Sequence, residues 1–111
     1  MKNDQLYLTH IREAIARIES YTTLGKDDFL DRPLIQDGVI RNFEVIGEAT
    51  KRLSQELKLE NPDIPWRQIS GFRDVLIHDY YQIKIERVWQ FVEEEIPILK
   101  QRVESLLSTE S

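Results

Sequence analysis

No cysteine occurs in these 111 residues. Disulfides and thiolate metal sites are therefore excluded, and the composition suits a reducing compartment. Long apolar runs are missing as well. No stretch approaches the roughly 20 residues a membrane span needs, and residues 2–5 are polar, with no signal-peptide pattern. The expected location is cytoplasmic, away from membranes. Positive charge is also short. Fifteen lysines and arginines face twenty acids, for a net charge of −5, which argues against a general nucleic-acid binder, since such proteins are normally basic. Only four glycines and four prolines interrupt the chain. A length of this order makes one domain with a real core, so residues 1–111 are expected to form a single unit.

What is present is helical periodicity. Four or five helices account for nearly every residue, and nothing reads as a strand, so the expected fold is an all-α antiparallel helical bundle. The first helix spans about residues 4–21, with Asn3 as its N-cap and Gly25 just past its end. Leu8, Ile11, Ile15 and Ile18 form its buried face, flanked by Tyr7, His10, Ala14 and Tyr21. His10 reads as a boundary residue rather than a catalytic one. Residues 26–31 form a short connector around Phe29. Pro33 suits the first position of a long helix reaching about residue 59. Its apolar stripe is wide enough to serve two neighbours. Gly38 and Gly47 cost helix propensity there, which points to close approach of another helix. Arg41, Glu44, Glu48 and Arg52 share another face and read as a solvated salt ladder. The breaker Asn61-Pro-Asp-Ile-Pro65 follows, and Trp66 opens a helix ending near His78. The last pattern, from Ile85 to Leu106, keeps its phase across Pro97, so a kink is expected there rather than a break.

The run Phe72-Arg-Asp-Val-Leu-Ile-His-Asp-Tyr-Tyr81 carries chemistry. Arginine can hold a phosphate through two parallel hydrogen bonds, and histidine can move a proton near neutral pH. Tyrosine adds a hydroxyl that can be modified. Arg73, His78 and Tyr80 thus make a kit for phosphodiester chemistry that needs no metal. Asp74 is placed to orient either cationic group. The plainer reading is a helix end where Arg73 pairs with an acid and His78 caps carbonyls. Charge distribution leaves room for a phosphate, because residues 66–90 carry +1 while the rest of the chain carries −6. On a straight helix Arg73 and His78 point about 140° apart. Either the helix unwinds near His78, or the pair converges with its copy across a two-fold axis, as in an isologous dimer.

These residues resemble a known family. Arg73-Asp74-x3-His78 is similar to the signature of HEPN domains, in which a polar residue usually follows the arginine. The extended form with Tyr80 resembles the HepT-type toxins of the HepT–MntA (HEPN–MNT) toxin–antitoxin systems. Arg41-Asn-Phe-Glu-Val-Ile-Gly-Glu-Ala49, Ile64-Pro-Trp66, Gly71-Phe-Arg-Asp74 and Val88-Trp89 resemble that family in the same order, so the likeness covers about residues 4–107. It implies an all-helical homodimer with both motifs facing a cleft, acting as a metal-independent endoribonuclease with no cofactor. His78 would be general acid or base, Arg73 would hold the scissile phosphate, and Asp74 would support them. Attack by the ribose 2′-hydroxyl makes RNA the expected substrate. Tyr80 matches the tyrosine that the partner, an MNT-type nucleotidyltransferase antitoxin, modifies with AMP, and Tyr81 is an adjacent second phenol. Lys84 departs from the pattern, standing where an acidic N-cap is expected. The alternative is a non-catalytic helical dimer that docks the nucleotidyltransferase and is modified by it. The joint presence of Arg73, Asp74, His78 and Tyr80 favours the enzyme.

Overall fold

The amphipathic stretches become helices that wrap one apolar core. The computed structural model describes residues 2–78 and 84–110. Its helices are α1 (Lys2–Tyr21), α2 (Gly25–Asp31), α3 (Pro33–Arg52), α4 (Gln55–Glu60), α5 (Trp66–His78), α6 (Ile85–Glu94) and α7 (Ile96–Glu110). No strand occurs among the described residues, and no helix among them is long and apolar enough to cross a membrane. The all-α class expected from periodicity is what forms. Its four long segments are α1, α3, α5 and the α6–α7 pair, and α2 is the turn of helix around Phe29.

The α6–α7 pair behaves as a kinked helix. Glu95 separates the two but keeps right-handed helical dihedrals. Its N–H donates to the Phe91 carbonyl at 3.0 Å, and its own carbonyl accepts from Leu99 N–H at 3.0 Å. Pro97 has no N–H to give, which is the reason for the kink.

The helix expected to run on to about residue 59 instead stops at Arg52. Leu53 and Ser54 are extended, and Ser54 caps α4 by accepting from Leu57 N–H. The cause lies fifty residues away. The buried Asp4 carboxylate accepts from Ser54 N–H at 2.7 Å and from Ser54 Oγ at 2.6 Å, holding the chain in its extended form. Apolar periodicity continues through Leu53 and Leu57, so it could not reveal that break. A smaller difference lies at the amino end: α1 already includes Asn3, so this residue sits in the first turn and is not the cap.

Helix α3 lies between α1 and α5 and packs most extensively on both. Against α1 it runs antiparallel, since Asp4 meets Ser54 at one end and the Tyr21 ring meets Gly38 at the other. The α1 stripe of Leu8, Ile11, Ala14, Ile15 and Ile18 is buried, as are Val39, Phe43 and Ile46 of α3. Three phenylalanines join α5 to this frame. Phe72 stacks on Phe91 of α6 at 4.0 Å, and both rings meet the edge or face of Phe43 at 5.3 and 6.2 Å. Such pairs contribute about 0.5–1.5 kcal/mol each beyond simple burial.

The amino end of α5 is pinned separately. Trp66 is buried, and its indole N–H donates to the Asn61 carbonyl at 3.0 Å. Arg102 of α7 reaches the same breaker, donating to Asn61 Oδ1 at 3.2 Å and pairing with Asp63. The Asn-Pro-Asp-Ile-Pro segment is thus a fixed corner, and it sets the direction in which α5 departs toward the motif.

Candidate active site

Gly47 decides how Arg73 is placed. A Cβ at this position would overlap the Arg73 Cβ and come within 2.7 Å of its Cγ. The close approach inferred at this glycine is therefore made by α5, and the residue pressed against it is the motif arginine. At Gly38 the neighbour is α1, through the Tyr21 ring at 3.1 Å.

The guanidinium sits in an ion network built by α3 and α5. Arg73 Nη1 donates to Asp74 Oδ1 at 3.1 Å, and Nη2 lies 3.5 Å from Glu48 Oε2. Lys51 Nζ donates to the same Asp74 oxygen at 2.6 Å. These hydrogen bonds, the Lys51 one first and then the Arg73 one, hold the Asp74 carboxyl below the usual carboxylate range. Asp74 is thus a fixed anion at neutral pH, suited to orienting cations and not to trading protons.

An arginine side chain has five N–H donors. Here one is directed at Asp74 and one toward Glu48, while the buried Nε has no partner among the described residues. Among the described residues the second N–H of each terminal nitrogen has no partner, so it can serve an incoming anion. With 23% of its side chain exposed, Arg73 is held in place yet reachable from solvent. A guanidinium fork of this kind suits a phosphate or a carboxylate.

His78 is the last residue of α5 and is exposed. The helix continues without unwinding up to it, so the geometry of a regular helix applies between Arg73 and His78. Five helical steps separate them, about 7.5 Å along the axis and about 140° around it. One chain therefore offers its arginine and its histidine on different sides of the same helix. Tyr80, its neighbour Tyr81 and Asp79 lie outside the described residues. Lys84 precedes α6 in extended conformation and gives no side-chain cap, which matches its departure from the expected acidic cap.

Among the described residues no group of three or more His, Asp or Glu side chains comes together. Two residues of the network escaped sequence reasoning as site members. Glu48 was visible only as a rung of the salt ladder, and Lys51 was not singled out at all. Their spacing of three places them on the same face as Gly47's neighbourhood, which is the signal that could have linked them to Arg73.

The described residues thus form an all-helical frame that carries a partly exposed arginine and an exposed histidine on one helix. The chain belongs to the family described as Ribonuclease HepT-like, whose model matches residues 11–106. It is 43% identical over 101 residues to "Probable ribonuclease HepT" of Thermococcus cleftensis, covering 90% of this chain and 92% of that protein. It is 35% identical over 111 residues to a "Putative RNase" of Caldanaerobacter subterraneus subsp. tengcongensis, covering 99% of each. A third relative, "Gamma-glutamylcyclotransferase and putative RNase" of Methanocaldococcus jannaschii, is 40% identical over 103 residues, and there the match spans 92% of this chain but 46% of the longer protein. No solved structure matches the chain at a significant level.

Proposed function

We propose that this protein is a metal-independent endoribonuclease, the toxin of a toxin–antitoxin pair, silenced when a partner MNT-type nucleotidyltransferase transfers AMP to Tyr80. The observation that carries the reading is the seating of Arg73. A family ribonuclease motif supplies the arginine, and the fold holds it on a glycine between Glu48 and Asp74 with donors to spare.

In the reaction, the 2′-hydroxyl oxygen bonds to phosphorus as the bond to the 5′-oxygen of the next nucleotide breaks. One proton leaves the 2′-hydroxyl and one reaches the departing 5′-oxygen, giving a 2′,3′-cyclic phosphate and a 5′-hydroxyl. Arg73 offsets the charge that builds on the phosphate oxygens. His78 carries a proton transfer, the role for which imidazole is suited near neutral pH.

A symmetric homodimer completes this site. The 140° separation lets Arg73 of one chain face His78 of the other. Val75 and Ile77 support the dimer. They are 43% and 42% exposed on the motif helix, Val75 one turn from His78 and Ile77 one turn from Arg73. Modification blocks the same site: the Tyr80 phenol gives up its proton to a base of the nucleotidyltransferase, its oxygen attacks the α-phosphate of ATP, pyrophosphate leaves, and the tethered phosphate then competes for Arg73.

The test is cleavage of an RNA oligonucleotide by the purified protein in EDTA, with products analysed for cyclic phosphate. Cleavage that needs a divalent ion, or that survives in folded His78→Ala, overturns the mechanism. Co-expression with the nucleotidyltransferase should add AMP mass to the wild type and none to Tyr80→Phe. Mass on Tyr81 instead would move the acceptor by one residue.

A further inference from the structure

Beside Arg73 an open groove of about 370 Å³ runs between α1, α3 and α5. We propose that this groove is a binding subsite for the RNA strand flanking the scissile phosphate, with Arg41 and Arg52 contacting backbone phosphates and Tyr7 with His10 receiving a base. The proposal rests on the ribonuclease reading and extends it to how substrate is held.

Four observations lead there. First, the groove is continuous with the motif, because Arg73 and Ile77 form one of its walls. Second, its charge runs against that of the molecule. Arg41, Arg52 and Arg73 face Glu44 and Glu48, one net positive charge in a chain of net charge −5. Third, the two outer arginines are loosely engaged. Arg41 meets Glu44 at 3.6 Å with its side chain 73% exposed, and Arg52 meets Glu48 at 3.6 Å with 58% exposed. Exposed pairs of this kind hold weakly, so a phosphate can recruit either guanidinium while the other hydrogens of the fork stay on the glutamate. Fourth, aromatic surface lies within the same groove. Tyr7 and His10 of α1 meet edge to face at 5.9 Å, with His10 exposed. Cationic side chains beside exposed aromatic rings are how single strands are gripped without base-specific contacts.

The salt ladder thus has a second use. A purely solvated ladder would not be expected to line a concave surface shared with an aromatic pair and the motif arginine.

The experiment measures fluorescence anisotropy of a labelled 2′-O-methyl RNA oligonucleotide, which cannot supply the attacking hydroxyl, across a salt series. Each phosphate contact to a single strand contributes about 0.7 to the slope of log affinity on log salt. The double variant Arg41→Gln/Arg52→Gln should therefore have a slope shallower by about 1.4. On cleavable RNA it should raise KM and leave kcat within about twofold. Tyr7→Leu and His10→Ala should weaken binding at every salt concentration without changing the slope. An unchanged slope together with an unchanged KM overturns the subsite while the ribonuclease reading stands. A double variant that alters oligomeric state but not RNA binding makes the groove a protein interface, and the proposal falls. If the wild type cuts no RNA, the ribonuclease reading fails, and the anisotropy series still decides whether the groove binds the strand.

Discussion

Helices α1 and α5 carry similar apolar periodicity and meet different fates. In α1 every residue of the predicted stripe, from Leu8 to Ile18, is at most 1% exposed. In α5 only Trp66 and Leu76 are buried, Ile69 and Phe72 are partly covered, and Val75, Ile77 and His78 face outward. Both helices pack on α3, but α1 also has α7 against it, whereas α5 packs chiefly on α3 alone. The lesson is that α1 is spent on stability, whereas one face of the last turn of α5, with Val75, Ile77 and His78, is left open for contact. A motif placed on the less covered helix can be reached by a substrate, a second copy or a modifying enzyme without unfolding anything.

If that division of labour is right, mutations should separate cleanly by helix. The largest effect should come from His78→Ala, which ought to lower RNA cleavage by about 10²–10⁴-fold and leave thermal unfolding unchanged, as checked by circular dichroism melts beside the cleavage assay. A clear loss of stability there would blur the contrast. Next, Ile11→Ala in α1 should cost about 2–5 kcal/mol by leaving a cavity in the core, measured by denaturant titration, whereas Val75→Ser in α5 should change the stability of the protomer by no more than about 0.5 kcal/mol and weaken the dimer instead. Gly47→Ala should show both behaviours. The added methyl pushes α5 off α3, costing about 1–3 kcal/mol and moving Arg73, so cleavage should drop at temperatures where the variant remains folded.

The smallest effect belongs to Asp74. Its folded pKa lies below the ordinary carboxylate value, owing to Lys51 and then Arg73. Its contribution to stability is therefore present above that ordinary value, near 3.9, and is lost as pH falls through the lowered one. Asp74→Asn should melt slightly earlier than the wild type at pH 7, and the gap should close under strongly acidic conditions. A gap that widens on acidification would reverse the assignment of Asp74 as a fixed anion.

Much of this was legible in the chain. Residues spaced by three and four marked α1, α3 and α5, Pro33 marked the start of α3, and the Asn61–Pro65 breaker marked the corner before α5. The glycine at 47 announced a close approach without saying whose. The site was legible only as a list: Arg73, Asp74 and His78 stand close in sequence, but Glu48 and Lys51 are twenty or more residues upstream. An ion pair depends on distances across space, and no periodicity along the chain encodes which face of α5 meets which face of α3.

What the sequence determined by itself is the helical class, the position of most helix ends and the motif, because these follow from local propensity, capping chemistry and residue type. The tertiary structure decided where α3 stops, since that requires Asp4 to reach Ser54 from another helix. It decided that the arginine on which the chemistry is proposed to turn leans on Gly47, and that a salt ladder and a tyrosine–histidine pair share one groove with it. Those outcomes depend on how rigid helices pack in three dimensions, where side chains far apart in sequence become neighbours.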